Sequence, residues 1–282
     1  MALIAWAFDD FFIGRSTKKL GDVGALFCLS LFGTLILLPF TYNDVTNTSF
    51  WSPSEDTLWI LCGTVVVTLI AALADFEALR IGKLSTIDPL YALEVPLTLL
   101  LTYVVIHETL GTAQLLLVAC TVCGMVLVAA QSFKGLQNIR WERGVRMALV
   151  SIFFMSGVNF LSAYGGRISN PVFANWFSYM GLALCTGMYL LTTGRMRSVF
   201  QAIRANPKLA LGLSIADVIA WTSFITSASL IPIGLTTAIS EAYIAFAVLL
   251  GIYANKEKIR KHQIIGICIV VIAVLTLSVI SK

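Results

Sequence analysis

Charge is what this chain has least of. Only 12% of its 282 residues are Asp, Glu, Lys or Arg, against roughly 25% in ordinary globular chains. A solvated soluble surface cannot be built from that composition. Histidine is scarcer still, with two in the chain, His107 and His262, at the ends of separate apolar runs. No nucleophile–base constellation can be assembled from them, so an enzyme is not expected. A Walker A sequence is missing, as is any polar stretch large enough to bind ATP, which argues against ATP-driven transport. The six cysteines all lie inside apolar runs, where a disulfide framework has no place. Cys120-x-x-Cys123 has no second ligand pair and reads as structural. No metal and no cofactor is expected.

What is present is hydrocarbon. Hydrophobic residues make up 58% of the chain and the mean hydropathy is +0.89. A bilayer core takes about 20 residues of helix to cross. Runs of that kind fall at Val23–Tyr42, Leu58–Leu79, Leu84–Ile106, Thr112–Gln131, Gly144–Tyr164, Pro171–Leu191, Leu209–Ile231, Gly234–Ala254 and Gln263–Ile280, after a first run from Met1 to Ile13 or as far as Leu20. They are continuously apolar and about twice the length of barrel strands. The expected class is therefore an all-α integral membrane protein with ten transmembrane helices. The basic residues after the first run follow it, unlike those of a signal peptide.

The net charge of +4 is better explained by membrane sorting than by nucleic acid. Lys and Arg crowd into alternate loops, at Arg15–Lys19, Arg80–Lys83, Lys134–Arg146, Arg195–Lys208 and Lys256–Lys261, leaving only Arg167 and Lys282 elsewhere. Positive-inside bias makes those loops cytoplasmic. With ten spans, both termini are then external, in the cytoplasmic membrane of the cell. The longest outer loop is acidic and carries the sequon Asn47-Thr48-Ser49.

The chain also reads twice. Ala78-Leu79-Arg80-Ile81-Gly82, Leu84-Ser85-Thr86-Ile87, Glu94 and Glu108 return as Ala228-Ser229-Leu230-Ile231-Pro232, Leu235-Thr236-Thr237-Ala238-Ile239, Glu241 and Glu257. Five spans per half is an odd number, so the second copy enters inverted. Residues 1–135 and 136–282 form the two halves. Inverted repeats of this kind mark secondary transporters with a site between the halves.

Taken together, these features resemble the EamA-type branch of the drug/metabolite transporter superfamily. The pieces are Trp6 in span 1, an Ala-rich span 3 ending in Ala-Leu, and Glu94-Val95-Pro96 with Glu108 fourteen residues later. The second half has Ser240-Glu241-Ala242, Glu257 and Gly266. The pattern departs from the family where Asp9-Asp10 replaces small residues after Trp6 and where Glu241 lacks a following Pro. The resemblance implies alternating-access transport of a small polar or amphipathic metabolite, with export of an amino acid or related amine as the expected direction.

The candidate site residues are those whose placement in hydrocarbon costs most. A carboxylate at a helix centre costs about 2.5–3.5 kcal/mol on insertion scales. Asp9, Asp10, Glu94, Asp217 and Glu241 lie deep in their spans with no Lys or Arg at that depth. They must be protonated, face water or meet a cation, so protons join the small-molecule substrate and the bilayer as expected partners. Asp75, Glu77 and Asp88 sit near the basic rim and read as ion pairs with its residues. Asp217 and Trp221 share a helix face, which suits an amine through charge and cation–π attraction. Tyr91, Trp176, Tyr179 and Tyr243 are candidate cavity walls. Asn159 and Asn175 serve either substrate contact or interhelical hydrogen bonding. A nucleotide-sugar exchanger of the same fold would want cavity Lys or Arg, and a non-transporting scaffold would tolerate loss of the carboxylates. The sequence leaves monomer and homodimer open.

Overall fold

The computed structural model describes residues 1–46, 55–81, 90–130, 142–246 and 260–280. The sequon at Asn47, along with Asp88 and Glu257, lies outside them. Among the described residues the chain is helical and contains no strand. Eleven helices are defined: α1 Ala2–Leu20, α2 Asp22–Thr46, α3 Glu55–Ile81, α4 Glu94–Ile106, α5 Thr112–Ala129, α6 Arg143–Ile168, α7 Pro171–Thr192, α8 Met196–Ala205, α9 Pro207–Ala228, α10 Ile233–Glu241 and α11 Lys261–Ile280. Helices are the solution that lets an apolar segment satisfy its own backbone in lipid. Six are long and apolar enough to cross a membrane, within α2, α3, α5, α6, α9 and α11. The N-terminal run continues as helix to Leu20.

Local sequence sets the helix ends. Asn170 caps α7 by accepting from the Val172 and Phe173 N–H groups at 2.9 and 3.4 Å, and Pro171 follows at the first helical position, where a missing N–H costs nothing. The run expected at Leu84–Ile106 is not one helix. A helical segment ends at Tyr91, Ala92 and Leu93 form a turn, and α4 starts at Glu94. The cause is Pro96, which has no N–H to offer the Ala92 carbonyl four residues back and whose ring crowds it. The run at Gly234–Ala254 is also interrupted: α10 ends at Glu241, Ala242 is a turn, and helix resumes at Tyr243. Each interruption therefore has an acidic residue at its edge.

The principal helix pairs are α3 with α6, α5 with α11, α2 with α7 and α1 with α9, followed by α2 with α9, α4 with α6 and α4 with α10. Small residues set several of these approaches. A Cβ at Gly33 would meet the Tyr179 ring at 2.9 Å, and one at Gly24 would meet Val199 at 3.2 Å. Gly63, in contrast, faces open space.

The polar ends sort into two groups. Lys19 donates to Asn206 at 2.6 Å, Arg80 pairs with Asp22 at 3.3 Å and Arg143 with Glu77 at 2.5 Å. His262 bonds the Ala130 carbonyl at 2.7 Å. All of these join the basic loops to one another. The other end gathers Glu108, Arg167, Ile231 and Ile233. The basic loop after α7 also contains α8, which a search for long apolar runs passes over. Val199 and Ile203, four apart, are buried while Arg197, Gln201 and Arg204 are exposed, the pattern of a short amphipathic helix lying along a surface.

Candidate functional site

Three helices and two helix breaks bring carboxyl groups to a common layer. Asp9 near the middle of α1 and Asp217 near the middle of α9 are buried, at 3% and 5% exposure, and their carboxyl groups are hydrogen-bonded to each other. Such a contact needs a proton between the oxygens, since two carboxylates at that distance cannot both stay ionised. Tyr179 on α7 donates its hydroxyl to Asp217 Oδ2 at 2.5 Å, and the Trp221 indole lies one helical turn from Asp217 on the same face of α9. Asn175 holds Thr222 on α9 at 2.9 Å. Its role is the interhelical one.

The second group is at the breaks. Glu94 opens α4 and Glu241 closes α10, each 5% exposed. Asn159 on α6, 1% exposed, donates Nδ2 to Glu241 Oε1 at 3.4 Å and lies close to Glu94. One amide therefore sits beside the acidic residues of both interrupted runs. Asp10 is exposed and close enough to Glu94, Glu241 and Tyr243 to act on each through its charge.

The aromatic residues divide. Trp6, which entered only as a family feature, packs edge-on against Trp221 at 5.3 Å between centroids and lies 6.0 Å from Tyr243 and 5.4 Å from Phe224. It fills the space between α1, α9 and the break after Glu241. Trp176, expected to line the same cavity, is buried instead in the core of α2, α3, α7 and α9, its ring 5.6 Å from Phe173. Tyr179 shares that core but turns its hydroxyl to Asp217.

One residue belongs to the layer against expectation. Asp75 was read as a rim ion pair, yet the described basic residues leave it alone. It accepts from the Tyr91 hydroxyl at 2.5 Å and from Ser151 at 3.3 Å. Tyr91 therefore serves Asp75. Glu77 does pair at the rim, but with Arg143, because Arg80 on the same helix reaches back to Asp22. The signal in the sequence was one of spacing: Asp75 and Glu77 are two apart, so a helix turns them to different faces. Among the described residues no Lys or Arg pairs with Asp9, Asp75, Glu94, Asp217 or Glu241. No cluster able to ligate a metal ion occurs among the described residues.

These features define a multi-pass integral membrane protein with a buried acidic layer between packed helices. The profile of the EamA-like transporter family matches residues 1–130 and 142–279. The chain belongs to that family, whose members are membrane transporters. A solved crystal structure titled only "Crystal structure of protein" is similar over 99% of this chain and 98% of its own, with a TM-score of 0.70 and 14% identity. At that identity the likeness speaks for the fold. A search of the curated proteins finds no match.

Proposed function

We propose that the protein carries a small amine-bearing or zwitterionic metabolite across the cytoplasmic membrane by alternating access, with both termini outside. In this reading ten spans form two five-span halves, residues 1–135 and 136–282, related by inversion. The helix pairing supports it. Exchanging each of the first five spans with its counterpart five later maps α2–α7, α4–α10 and α5–α11 onto themselves and turns α1–α9 into α6–α3. Gly111 N–H donates to Gln114 Oε1 at 3.0 Å, and Arg260 N–H to Gln263 Oε1 at 3.0 Å, in the corresponding position of the other half. Rocking one half against the other then exposes the layer to each side in turn.

The observation that carries the substrate class is the layer itself. Five carboxyl groups, from α1, α3, α4, α9 and α10, converge with no paired Lys or Arg among the described residues. Such a field repels anions and attracts amines, and sharing some of the protons leaves its sign unchanged. Glu94 and Glu241, set beside Asn159, are the proton-coupling candidates, because each lies where a helix breaks and can respond to its movement. Competition in proteoliposomes tests the substrate class: cationic and zwitterionic amines should compete, and sugar phosphates and nucleotide sugars should not. Tight binding of a nucleotide sugar would overturn it.

A further inference from the structure

Within the layer one acceptor is left over. Asp217 accepts from Tyr179 and has the Asp9 carboxyl beside it. Glu241 accepts from Asn159, with Glu94 close by, and Asp75 has Tyr91 and Ser151. Asp9 Oδ1, in contrast, is fully buried and has no hydrogen-bond partner. A buried polar atom left without a partner is destabilising, and natural structures keep such atoms for a reason. The groups acting on Asp9 from the elements around it are Asp217 on α9, Asp10 on α1, Asp75 on α3 and Tyr179 on α7. All are acids or a neutral hydroxyl, so among donors one carrying positive charge is the best matched to this oxygen.

The aromatic residues beside it narrow the donor. A cation held between opposed ring faces sits within roughly 6 Å of each centroid, so the faces stand about 8–10 Å apart. Here the Trp6 ring lies 5.3 Å from Trp221, 5.4 Å from Phe224 and 6.0 Å from Tyr243, with Trp221 and Phe224 at 5.7 Å. The rings fill one another's space. They form an apolar wall and leave no cage for a methylated ammonium.

We infer that Asp9 Oδ1 is the docking point for the ammonium group of a primary amine, and that the site selects N–H donors over quaternary cations. This rests on the transport reading above and names the chemistry of its substrate end. A primary ammonium offers three donors, one of which meets the orphaned oxygen. A trimethylated nitrogen carries the same charge with no N–H and a larger radius, so it leaves the oxygen unmet and presses on the Trp6 wall.

The test uses the purified full-length protein in detergent and two probes, phenethylammonium and its N,N,N-trimethyl derivative, with affinity read from the rise in melting temperature. The primary amine should bind at least tenfold more tightly than the quaternary one. In Asp9→Asn, which keeps the size of the side chain, that preference should vanish. Equal or tighter binding of the quaternary probe would overturn the inference, as would an unchanged preference in Asp9→Asn. Should that variant not fold, the comparison on the unaltered protein decides alone. If both probes compete for transport with equal affinity, docking at Asp9 falls while the amine reading stands. If neither binds nor competes, both fall.

Discussion

Arg167 Nη1 donates to Glu108 Oε1 at 2.9 Å, and the two side chains together lock the end of the molecule opposite the basic loops. Arg167 also donates through Nε to the Ala228 carbonyl at 2.6 Å and through Nη2 to the Ile231 carbonyl at 2.8 Å. Glu108 Oε2 in turn accepts from the Ile233 N–H at 2.7 Å. One guanidinium thus satisfies carbonyls at and just beyond the end of α9, and one carboxylate satisfies a free N–H at the start of α10, groups that a helix end otherwise leaves orphaned. The planar fork of arginine suits this task and the lysine point charge does not.

Arg167→Ala should therefore destabilise the protein by about 2 kcal/mol, between the values for exposed and buried pairs because these side chains remain partly exposed. Arg167→Lys, with charge but no fork, should fall between. Thermal unfolding in detergent measures both, and a lysine variant as stable as the parent would show that the carbonyl contacts are idle.

Tyr179→Phe removes the hydroxyl from Asp217 and nothing else. The loss should be about 1.5–3 kcal/mol, the range for hydrogen bonds to charged groups, with a reduced transport rate in the folded protein. Gly33→Ala should act on the same contact from behind, because the added methyl meets the Tyr179 ring at 2.9 Å. Normal transport in both variants would remove Tyr179 from the site.

Pro96 is exposed, so Pro96→Ala clashes with nothing. It restores an N–H to the Ala92 carbonyl and so allows a continuous helix through Ala92 and Leu93. Stability should rise and transport should fall, since continuity through Ala92 and Leu93 redirects Glu94. A variant that is both more stable and fully active would show that the break has no function.

Glu94→Gln and Glu241→Gln each put a neutral amide in place of a carboxyl, and both should fold. Transport measured across pH should lose its dependence in at least one of them. Unchanged profiles in both would mean that neither carries the coupling proton.

Topology is checked by labelling single cysteines in a cysteine-free background. Asn43→Cys should react with an impermeant reagent from outside and Gln201→Cys should not. The reverse would invert the orientation and place the Arg167–Glu108 lock at the cytoplasmic end.

The sequence by itself determined the all-helical membrane class and the family, because both depend on the length and polarity of runs and on motif order. It also singled out Asp9, Glu94, Asp217 and Glu241, since an acidic residue deep in an apolar run stands out without any knowledge of its neighbours. Only the tertiary structure decided who meets whom. Asp75 looked like Glu77 in the sequence, yet helix rotation sends one to Tyr91 and Ser151 and the other to Arg143. Trp176 and Tyr179 lie one turn apart, yet one is core and the other holds Asp217. The breaks at Ala92 and Ala242 were hidden inside runs whose hydropathy is uninterrupted. Only Pro96 signalled the first, because backbone hydrogen bonding leaves no trace in a hydropathy profile. Partners 59 or more residues apart, such as Arg167 and Glu108 or Asn159 and Glu241, are set by how helices cross, and crossing is a property of packed surfaces that no single segment carries.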